Sequence, residues 1–187
     1  MRRLAGQLGF EVMSLYNHVA NKDDLLEGML DLVCCEIDGP PEGATGWKAG
    51  LRHVAISAHE MLLRHPWAGE LWPHVFPGPA RWRYMETVLE LLKDAGLTGH
   101  DRDLGFHAVT LHITGFTQQQ LAYARDDTDP RDSYARVARE LSDADYPLMT
   151  DHIDYHRNMD ALPGERPDDF QFVLDLILDG LDHRPPA

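Results

Sequence analysis

Apolar residues recur at intervals of three and four positions along nearly the whole chain, in stretches that end at glycine or proline. This spacing places the apolar side chains on one face of an α-helix. Strand signals are nearly absent, because β-branched residues are scattered and no two-residue hairpin turn joins two alternating runs. We therefore expect an all-α protein of roughly nine helices with no sheet.

Glycine and proline positions place the helix ends and the domain boundary. Helices are expected at 2–8, 12–18, 22–37, 46–65, 67–76, 80–95, 101–125, 131–142 and 167–182, with a helical turn or two around 147–159. Gly39, Pro40 and Pro41 break the third helix, because proline cannot continue a helix. The sequence thus predicts a small N-terminal domain over 1–38 and a larger helical-bundle domain over 39–187.

Charge is distributed unevenly between these two parts. The net charge is −14, but residues 1–22 hold three basic side chains against one acidic side chain, a balance of +2, which leaves −16 for the remainder. A protein that binds DNA would need its basic residues on one small head, with the acidic body held away. No apolar run is long enough to span a membrane, and we expect a cytoplasmic protein. Cys34 and Cys35 are expected to be buried, reduced thiols.

Two of the expected helices are apolar on two faces. In the last helix one stripe comprises Phe170, Val173, Leu174, Ile177 and Leu181, and a second face adds Phe172, Leu176 and Leu178. In the long helix 101–125, one face holds Leu111 and Gly115 and the other holds Val109 and Ile113. A surface helix needs only one apolar stripe. We expect a homodimer joined through a four-helix bundle, with Leu111, Gly115, Phe170, Leu174, Ile177 and Leu181 at the interface; a single thick monomer core is the alternative.

Residues 2–22 have the layout of a helix-turn-helix motif. Two short helices flank a glycine-containing turn, and a third helix starts at once. The inner face is expected to comprise Leu4, Ala5, Leu8, Phe10, Leu15 and Val19. The outward residues would then be Val12, Met13, Ser14, Asn17 and His18, which can bind base edges, phosphates or a thymine methyl group. Lys22 begins the next helix and is suited to a phosphate contact.

The same segment resembles the DNA-binding domain of the TetR family of bacterial repressors. The resemblance lies in Met-Arg-Arg-Leu-Ala, then Leu-Gly, then Ser-Leu-Tyr-x-His-Val-x-x-Lys-x-x-Leu-Leu. It implies a DNA-binding role for Arg2 and Arg3, of which Arg2 matches a position that can reach a base. It implies phosphate contacts from Tyr16, His18 and Lys22. It also implies that Val12, Met13, Ser14 and Asn17 stand where the family varies its base contacts.

The larger domain resembles the tetracycline-repressor branch of that family. His112-Ile-Thr-Gly-Phe116 and the stretch 169–181 carry this resemblance, and in that branch these two helices form the dimer's four-helix bundle. The resemblance implies a ligand-responsive repressor that binds a palindromic operator as a homodimer and is released by a small molecule.

The family's DNA-binding domain has three helices, and the match here begins with the second. We therefore expect Leu4, Leu8, Phe10 and Leu15 to be partly exposed to solvent. An alternative function follows from this: a dimeric small-molecule-binding protein with a truncated, non-functional DNA-binding head.

The middle helices contain the residues expected to bind an effector. They are rich in aromatic and methionine side chains, and we expect His59, Trp72, Trp82, Met85 and His107 to bind a flat, apolar or aromatic molecule. Ordinary core packing is the alternative for each of them. Trp72 stands at the position of the branch's metal-binding histidine, so we do not expect tetracycline with magnesium to be the ligand.

Catalytic and metal-binding signals are weak. His152 and His156 stand at i and i+4 beside Asp151 and Asp154, but no glutamate lies between them as in the H-E-x-x-H motif, which favours a solvated polar face over a metal site. No glycine-rich phosphate loop and no Gly-x-Ser-x-Gly motif is present. We expect no catalytic residue, no bound metal, no cofactor and no enzymatic activity.

Overall fold

The computed structural model describes residues 1–125, 130–141, 145–158 and 168–183. Every regular element within these residues is a helix, which confirms the expected all-α fold. The ten helices are α1 (Arg2–Leu8), α2 (Val12–Tyr16), α3 (Lys22–Cys34), α4 (Trp47–Arg64), α5 (Pro66–Leu71), α6 (Pro79–Asp94), α7 (Gly99–Arg125), α8 (Pro130–Glu140), α9 (Pro147–Arg157) and α10 (Asp169–Asp182).

The chain divides into two compact units. The first contains Met1–Gln118 together with Asp169–Ala187, and the second contains Gln119–Asp168. The expected boundary near residue 38 does not separate these units, because α3 packs on α4, α5 and α6 within the first of them. None of the described helices combines the length and the apolar character that a membrane crossing requires.

Local sequence signals set the ends of the N-terminal helices. Gly9 ends α1 in the left-handed conformation, with φ of 72°, and the next amide, that of Phe10, donates to the carbonyl of Ala5 at 3.0 Å. At the start of α3 the Asn21 side chain accepts from the Asp24 amide at 2.9 Å, and the Asp24 carboxylate accepts from the Ala20 amide at 2.7 Å. This reciprocal capping satisfies amides that the helix itself leaves unpaired.

The core of the first unit is built around α4. Its fully buried face meets apolar residues of α3, α6, α7 and α10. The buried set includes Leu30, Leu51, Val54, Ala58, Met61, Leu62, Val88, Leu92, Val109, Ile113, Leu174 and Leu178. Because α3 contributes to this core, the last part of the N-terminal domain is continuous with the body.

An aromatic stack joins α4, α7 and α10. The ring of Phe170 lies between two histidine rings, that of His59 at 3.9 Å between centroids and that of His112 at 4.6 Å. His112 Nε2 lies 2.9 Å from the carbonyl oxygen of Phe170, and since a carbonyl only accepts, this nitrogen carries the proton. His59 is buried and pairs with the hydroxyl of Thr117 at 2.7 Å. The stack buries two polar rings while giving each a hydrogen-bond partner.

The N-terminus of α6 is capped from another helix. Asp31 of α3 accepts from the amides of Ala80 at 2.8 Å and Arg81 at 3.0 Å. The cap residue itself is Gly78, and a Cβ built there would lie 2.4 Å from Asp31 Cγ. Asp31 thus takes the place that the side chain of an ordinary N-cap residue would occupy, where a carboxylate also favours the helix dipole.

Arg81 extends this contact to the end of α5. Its guanidinium donates to the carbonyls of Trp72 at 2.6 Å and Val75 at 3.1 Å, and it lies 4.4 Å from the Trp72 ring centre. The end of α3 is held as well, because the Asp38 amide donates to the hydroxyl of Ser57 on α4 at 2.8 Å. Helices α3, α5 and α6 are therefore joined by polar contacts as well as by core packing.

In the second unit α8 and α9 pack on each other. Ile153 of α9 is buried. Tyr134 of α8 stacks on His156 of α9, with ring centroids 5.1 Å apart and planes within 11°.

We expect Asp31→Ala to lower the free energy of unfolding by about 1–2 kcal/mol, because two amides at the start of α6 lose their acceptor. Chemical denaturation followed by circular dichroism measures this. Glu86→Ala, at an exposed position of α6, is the control and should change stability by less than about 0.5 kcal/mol. Gly78→Ala should destabilise the wild type but cost much less in an Asp31→Gly background, since the Cβ, Cγ and Oδ1 atoms of Asp31, all within 3 Å of the added Cβ, are then absent. Equal costs in both backgrounds would contradict the trans-capping geometry.

We expect stability to fall as the pH drops below about 6.5, the ordinary pKa of histidine. Burial lowers the pKa of His112, although its bond to the Phe170 carbonyl opposes this. The unfolded chain therefore takes up a proton that the folded chain resists, so stability is full above the unfolded pKa and is lost below it. Urea midpoints measured between pH 8 and pH 5 test this. His112→Gln keeps a donor for the carbonyl and should flatten the dependence; an unchanged slope would exclude His112 as its source.

Candidate functional sites

Most of the outward residues of the helix-turn-helix contribute to the molecular surface. Arg2, Arg3, Met13, Tyr16, Asn17, His18 and Lys22 are exposed, and Val12 and Ser14 are half-buried. Met13, with 71% of its surface accessible, is the most exposed apolar residue of α2. Among the described residues no carboxylate forms an ion pair with Arg2, Arg3 or Lys22. This surface therefore presents three uncompensated cations beside polar and apolar groups of the kinds that bind DNA.

The opposite side of the same motif is only partly covered. Ala5 is buried where α1 meets α2, whereas Leu4, Leu15 and Val19 are half-buried. Leu8 is 53% exposed and Phe10 is 62% exposed. This confirms the expected partial exposure of Leu4, Leu8, Phe10 and Leu15. With α1 and α2 seven and five residues long, the motif offers too little surface to enclose these side chains.

Contacts around the end of α3 attach this helix, which begins in the head, to the body. Glu36 lies just beyond α3 and accepts from His65 Nε2 at 2.8 Å and from Arg64 Nε at 3.2 Å. The bond from His65, followed by that from Arg64, holds the pKa of the Glu36 carboxyl below its usual range. Together with the Asp31 cap, this gives α3 a polar attachment at both α4 and α6.

The residues expected to bind an effector stand in different surroundings. His59 is buried in the aromatic stack, and His107 is exposed on α7, where its Nδ1 bonds the Asp103 carbonyl at 2.8 Å. Trp82 is exposed beside Phe76. Trp72 packs its ring on Tyr84 and Arg81, and Met85 packs against the core. These positions lie on or next to four different helices, and their part in effector binding stays a prediction.

The structure instead contains a cavity at the junction of α3, α4 and α6. Its volume is about 250 Å³, and its lining comprises Cys34, Cys35, Ile37, Asp38, Gly39, Val54, Ala80, Arg83, Tyr84 and Thr87. The sequence pattern did not indicate it, although the small residues Ala80 and Gly39 leave space there. Cys34 is buried as expected, and burial raises the pKa of its thiol to about 12, whereas Cys35 is exposed, contrary to expectation.

The apolar faces of α7 and α10 differ from those expected to meet a partner. Phe170, Leu174 and Leu181 are buried inside their own subunit, and Ile177 packs against the same core. Leu111 and Gly115 are exposed, as the expected interface requires. The exposed apolar residues of α10 are Phe172, Val173 and Leu176. The sequence identified two apolar faces on α10 but not which of them the subunit's own core would cover.

The histidine pair of α9 does not gather further ligands. The rings of His152 and His156 lie 4.5 Å apart, and His156 stacks on Tyr134. Within the described part of the chain, no three histidine, cysteine or acidic side chains group so that they could hold a metal ion.

Comparison with known proteins identifies relatives of this arrangement. Residues 39–184 match the family described as "Tetracyclin repressor-like, C-terminal domain". An HTH-type transcriptional repressor, DrrR1 of Streptomyces coeruleorubidus, is 31% identical over 97% of this chain and 69% of its own length. An HTH-type transcriptional regulator of Saccharopolyspora erythraea is 31% identical over 80% of this chain and 64% of its own length. The chain thus spans about two thirds of the length of these curated relatives.

A solved structure shares the fold over nearly the entire chain. The TetR family protein ActR of Streptomyces coelicolor, crystallised in complex with actinorhodin, superimposes with a TM-score of 0.76 at 25% identity, over 97% of this chain and 85% of that one. The family match covers most of the sequence, and the helix-turn-helix precedes it in the expected position. The chain therefore belongs to the TetR family of transcriptional regulators.

Proposed function

We propose that this protein is a ligand-responsive transcriptional repressor that binds a palindromic operator as a homodimer and releases it when a small molecule binds the body. The observation that carries the proposal is the exposed surface of α1, α2 and the start of α3, where Arg2, Arg3 and Lys22 have no carboxylate partner in the described part of the chain. The named functions of the relatives support it. We expect the protein to act in the cytoplasm. None of the roles proposed for it requires a catalytic residue.

Roles on the DNA follow from side-chain chemistry and position. Arg2, Arg3, Tyr16, His18 and Lys22 would contact phosphates or nearby bases. Met13 and Asn17 are exposed on or next to α2 and would reach base edges in the major groove, with Val12 and Ser14 beside them. A methionine suits a thymine methyl group, and an asparagine suits adenine. The acidic remainder of the chain would be repelled from the DNA, which favours a docked orientation with only the head in contact.

A second copy of the chain is the partner that the body suggests. Gly105 approaches Leu181 at the start of α7, and His112 meets Phe170 further along it, so α7 and α10 run antiparallel. Their outer faces expose the apolar side chains Leu104, Leu111, Phe172, Val173 and Leu176. Gly115 and Gly180 have no atom near a built Cβ, so another helix can approach closely there. Two such faces would bury each other as a four-helix bundle.

Release would act through α3. This helix begins at Lys22 in the head and contributes Leu30, Val33 and Cys34 to the core of the body. A ligand that binds better when α3 is shifted against α4 and α6 would move the head and change the spacing of the two heads in a dimer. The crystal structure of ActR with actinorhodin supports a small molecule as the signal.

Operator DNA selected in vitro from a random library by the full chain gives the first test. We expect Lys22→Ala to weaken binding to all sequences and to reduce the slope of log K against log salt by about 1, because one phosphate contact is lost. Asn17→Ala should cost roughly 1–3 kcal/mol and relax the preference at one base pair of each half-site. Fluorescence anisotropy at several salt concentrations measures both effects.

The matched control is Lys93→Ala, an exposed lysine at the end of α6, away from the head. It should leave both the affinity and the salt slope unchanged. If the library yields no enriched sequence, or if the Lys22 and Lys93 variants behave alike, the repressor proposal fails.

Leu176→Arg tests the proposed dimer. Leu176 is 57% exposed within the subunit, so the change should leave the fold intact while placing a charge in the bundle interface. We expect a monomer by light scattering, with helical content retained. Leu148→Arg, at an exposed leucine of α9, should remain dimeric. A wild-type monomer, or a dimeric Leu176→Arg protein, would contradict this interface.

A further inference from the structure

We propose that the cavity between the end of α3, α4 and α6 is the effector site, and that it binds a planar aromatic carboxylate with a hydroxyl group at its far end. This deepens the proposed function, on which its regulatory consequence rests. None of the five residues that the sequence suggested for the effector lines this cavity. Its position next to α3 gives a bound molecule direct access to the helix that holds the head.

The hydroxyl group of Tyr84 is available to a ligand in the cavity. Tyr84 lines the cavity and is only 6% exposed, yet its hydroxyl has no hydrogen-bond partner in the described part of the chain. The hydroxyl is not itself sealed from solvent, so in the empty cavity it can bind water, and a ligand oxygen could replace that water.

Charged residues of the lining indicate which chemical groups the two ends of the ligand would carry. Arg83 stands next to Tyr84 on α6, and no carboxylate pairs with it among the described residues. A guanidinium beside a hydroxyl donor suits a carboxylate. Asp38 lines the cavity from the segment after α3, and its side chain is also unpaired in that part of the chain. It would repel a second anion and accept a hydrogen bond from a ligand hydroxyl.

Shape and polarity of the remaining lining suit a flat ring. Ile37, Val54 and Ala80 provide apolar contacts between the two polar ends, and the volume of about 250 Å³ limits the occupant to a small molecule. Cys34 contributes a protonated thiol and no charge, because burial raises its pKa. The cavity therefore offers a cation and a donor on α6, an apolar middle and an acceptor next to α3.

Occupation of the cavity would act on a defined contact. Ala80 lines the cavity, and its amide is one of the two that Asp31 caps. Cys34 and Cys35, at the end of α3, line the same cavity. A ligand that bridges Arg83 and Asp38 would thus bind α6 and the end of α3 at once and set their separation. Since α3 also carries the head, ligand binding and operator binding would be coupled.

The probe for the test is 6-hydroxy-2-naphthoate, and 2-naphthoate is its partner without the hydroxyl group. Isothermal titration of the full chain, in the absence of DNA, should show saturable binding of one probe molecule per chain. Tyr84→Phe and Arg83→Gln should each weaken binding about tenfold, because each removes a donor to the carboxylate. The Tyr84 change removes only an unpartnered hydroxyl, so the fold should persist.

Matched controls distinguish the cavity from nonspecific binding. Tyr155→Phe and Arg136→Gln change an exposed tyrosine of α9 and an exposed arginine of α8, and should leave the affinity unchanged. Asp38→Ala should abolish the preference of the chain for 6-hydroxy-2-naphthoate over 2-naphthoate, because the hydroxyl loses its acceptor. The site is excluded if neither naphthoate binds saturably, if the Tyr84 and Tyr155 variants bind equally, or if the preference survives in Asp38→Ala.

The regulatory step is measured separately on the selected operator. The probe should weaken the operator complex of the wild type, and the same concentration should have a smaller effect on Tyr84→Phe. Operator binding that is insensitive to a probe already shown to occupy the cavity would overturn its role as the effector site. A chain that binds the probe but no operator would instead overturn the proposed function and leave the binding site in place.

Discussion

The carboxylate of Asp31 at the start of α6 is the contact on which the arrangement of head and body depends. It belongs to α3, yet it does for α6 what an N-cap side chain does for its own helix. The glycine at 78 is required because any side chain would occupy the carboxylate's place. Arg81, one of the two capped residues, in turn donates to the carbonyls of Trp72 and Val75 in the segment that follows α5. One short side chain thus sets the relation of three helices.

A second contact, the histidine–phenylalanine stack, fixes how α4, α7 and α10 pack together deeper in the body. Phe170 between His59 and His112 aligns α10 with α4 and α7, and it uses hydrogen bonds that hydrophobic packing alone would not require. The bond from His112 to the Phe170 carbonyl restricts the rotation of α10 about its own axis, because a turned helix would leave this ring nitrogen unpaired. The outer faces of α7 and α10 are apolar as a consequence of that fixed rotation, and this makes a second copy of the chain the natural partner.

Signal transfer follows from the same geometry. The cavity beside Ala80 and Cys34 adjoins the Asp31 cap, so a molecule bound there would contact both sides of the joint between α3 and α6. Coupling over this distance needs no long pathway, because α3 itself extends from the cavity to the DNA-binding surface. A small displacement at one end of a rigid helix is transmitted to the other end. In a dimer this would change the spacing of the two heads, and operator binding depends on that spacing.

The sequence by itself determined the helical fold, most helix ends and the helix-turn-helix layout of the head, because these depend on local signals. Gly9 ends a helix through its own φ angle, Asn21 caps the helix that follows it, and the outward residues of a five-residue helix are set by their spacing. The tertiary structure alone decided which apolar face of α10 is buried, where the aromatic residues stand and where a cavity remains. Phe170 and Phe172 are equally apolar in sequence, and contacts with distant residues, such as the ring of His59 111 positions earlier in the chain, place the first in the core. Contacts between distant segments depend on how whole helices pack. Helical periodicity predicts that a helix has an apolar face, but it does not predict which neighbouring helix that face will contact.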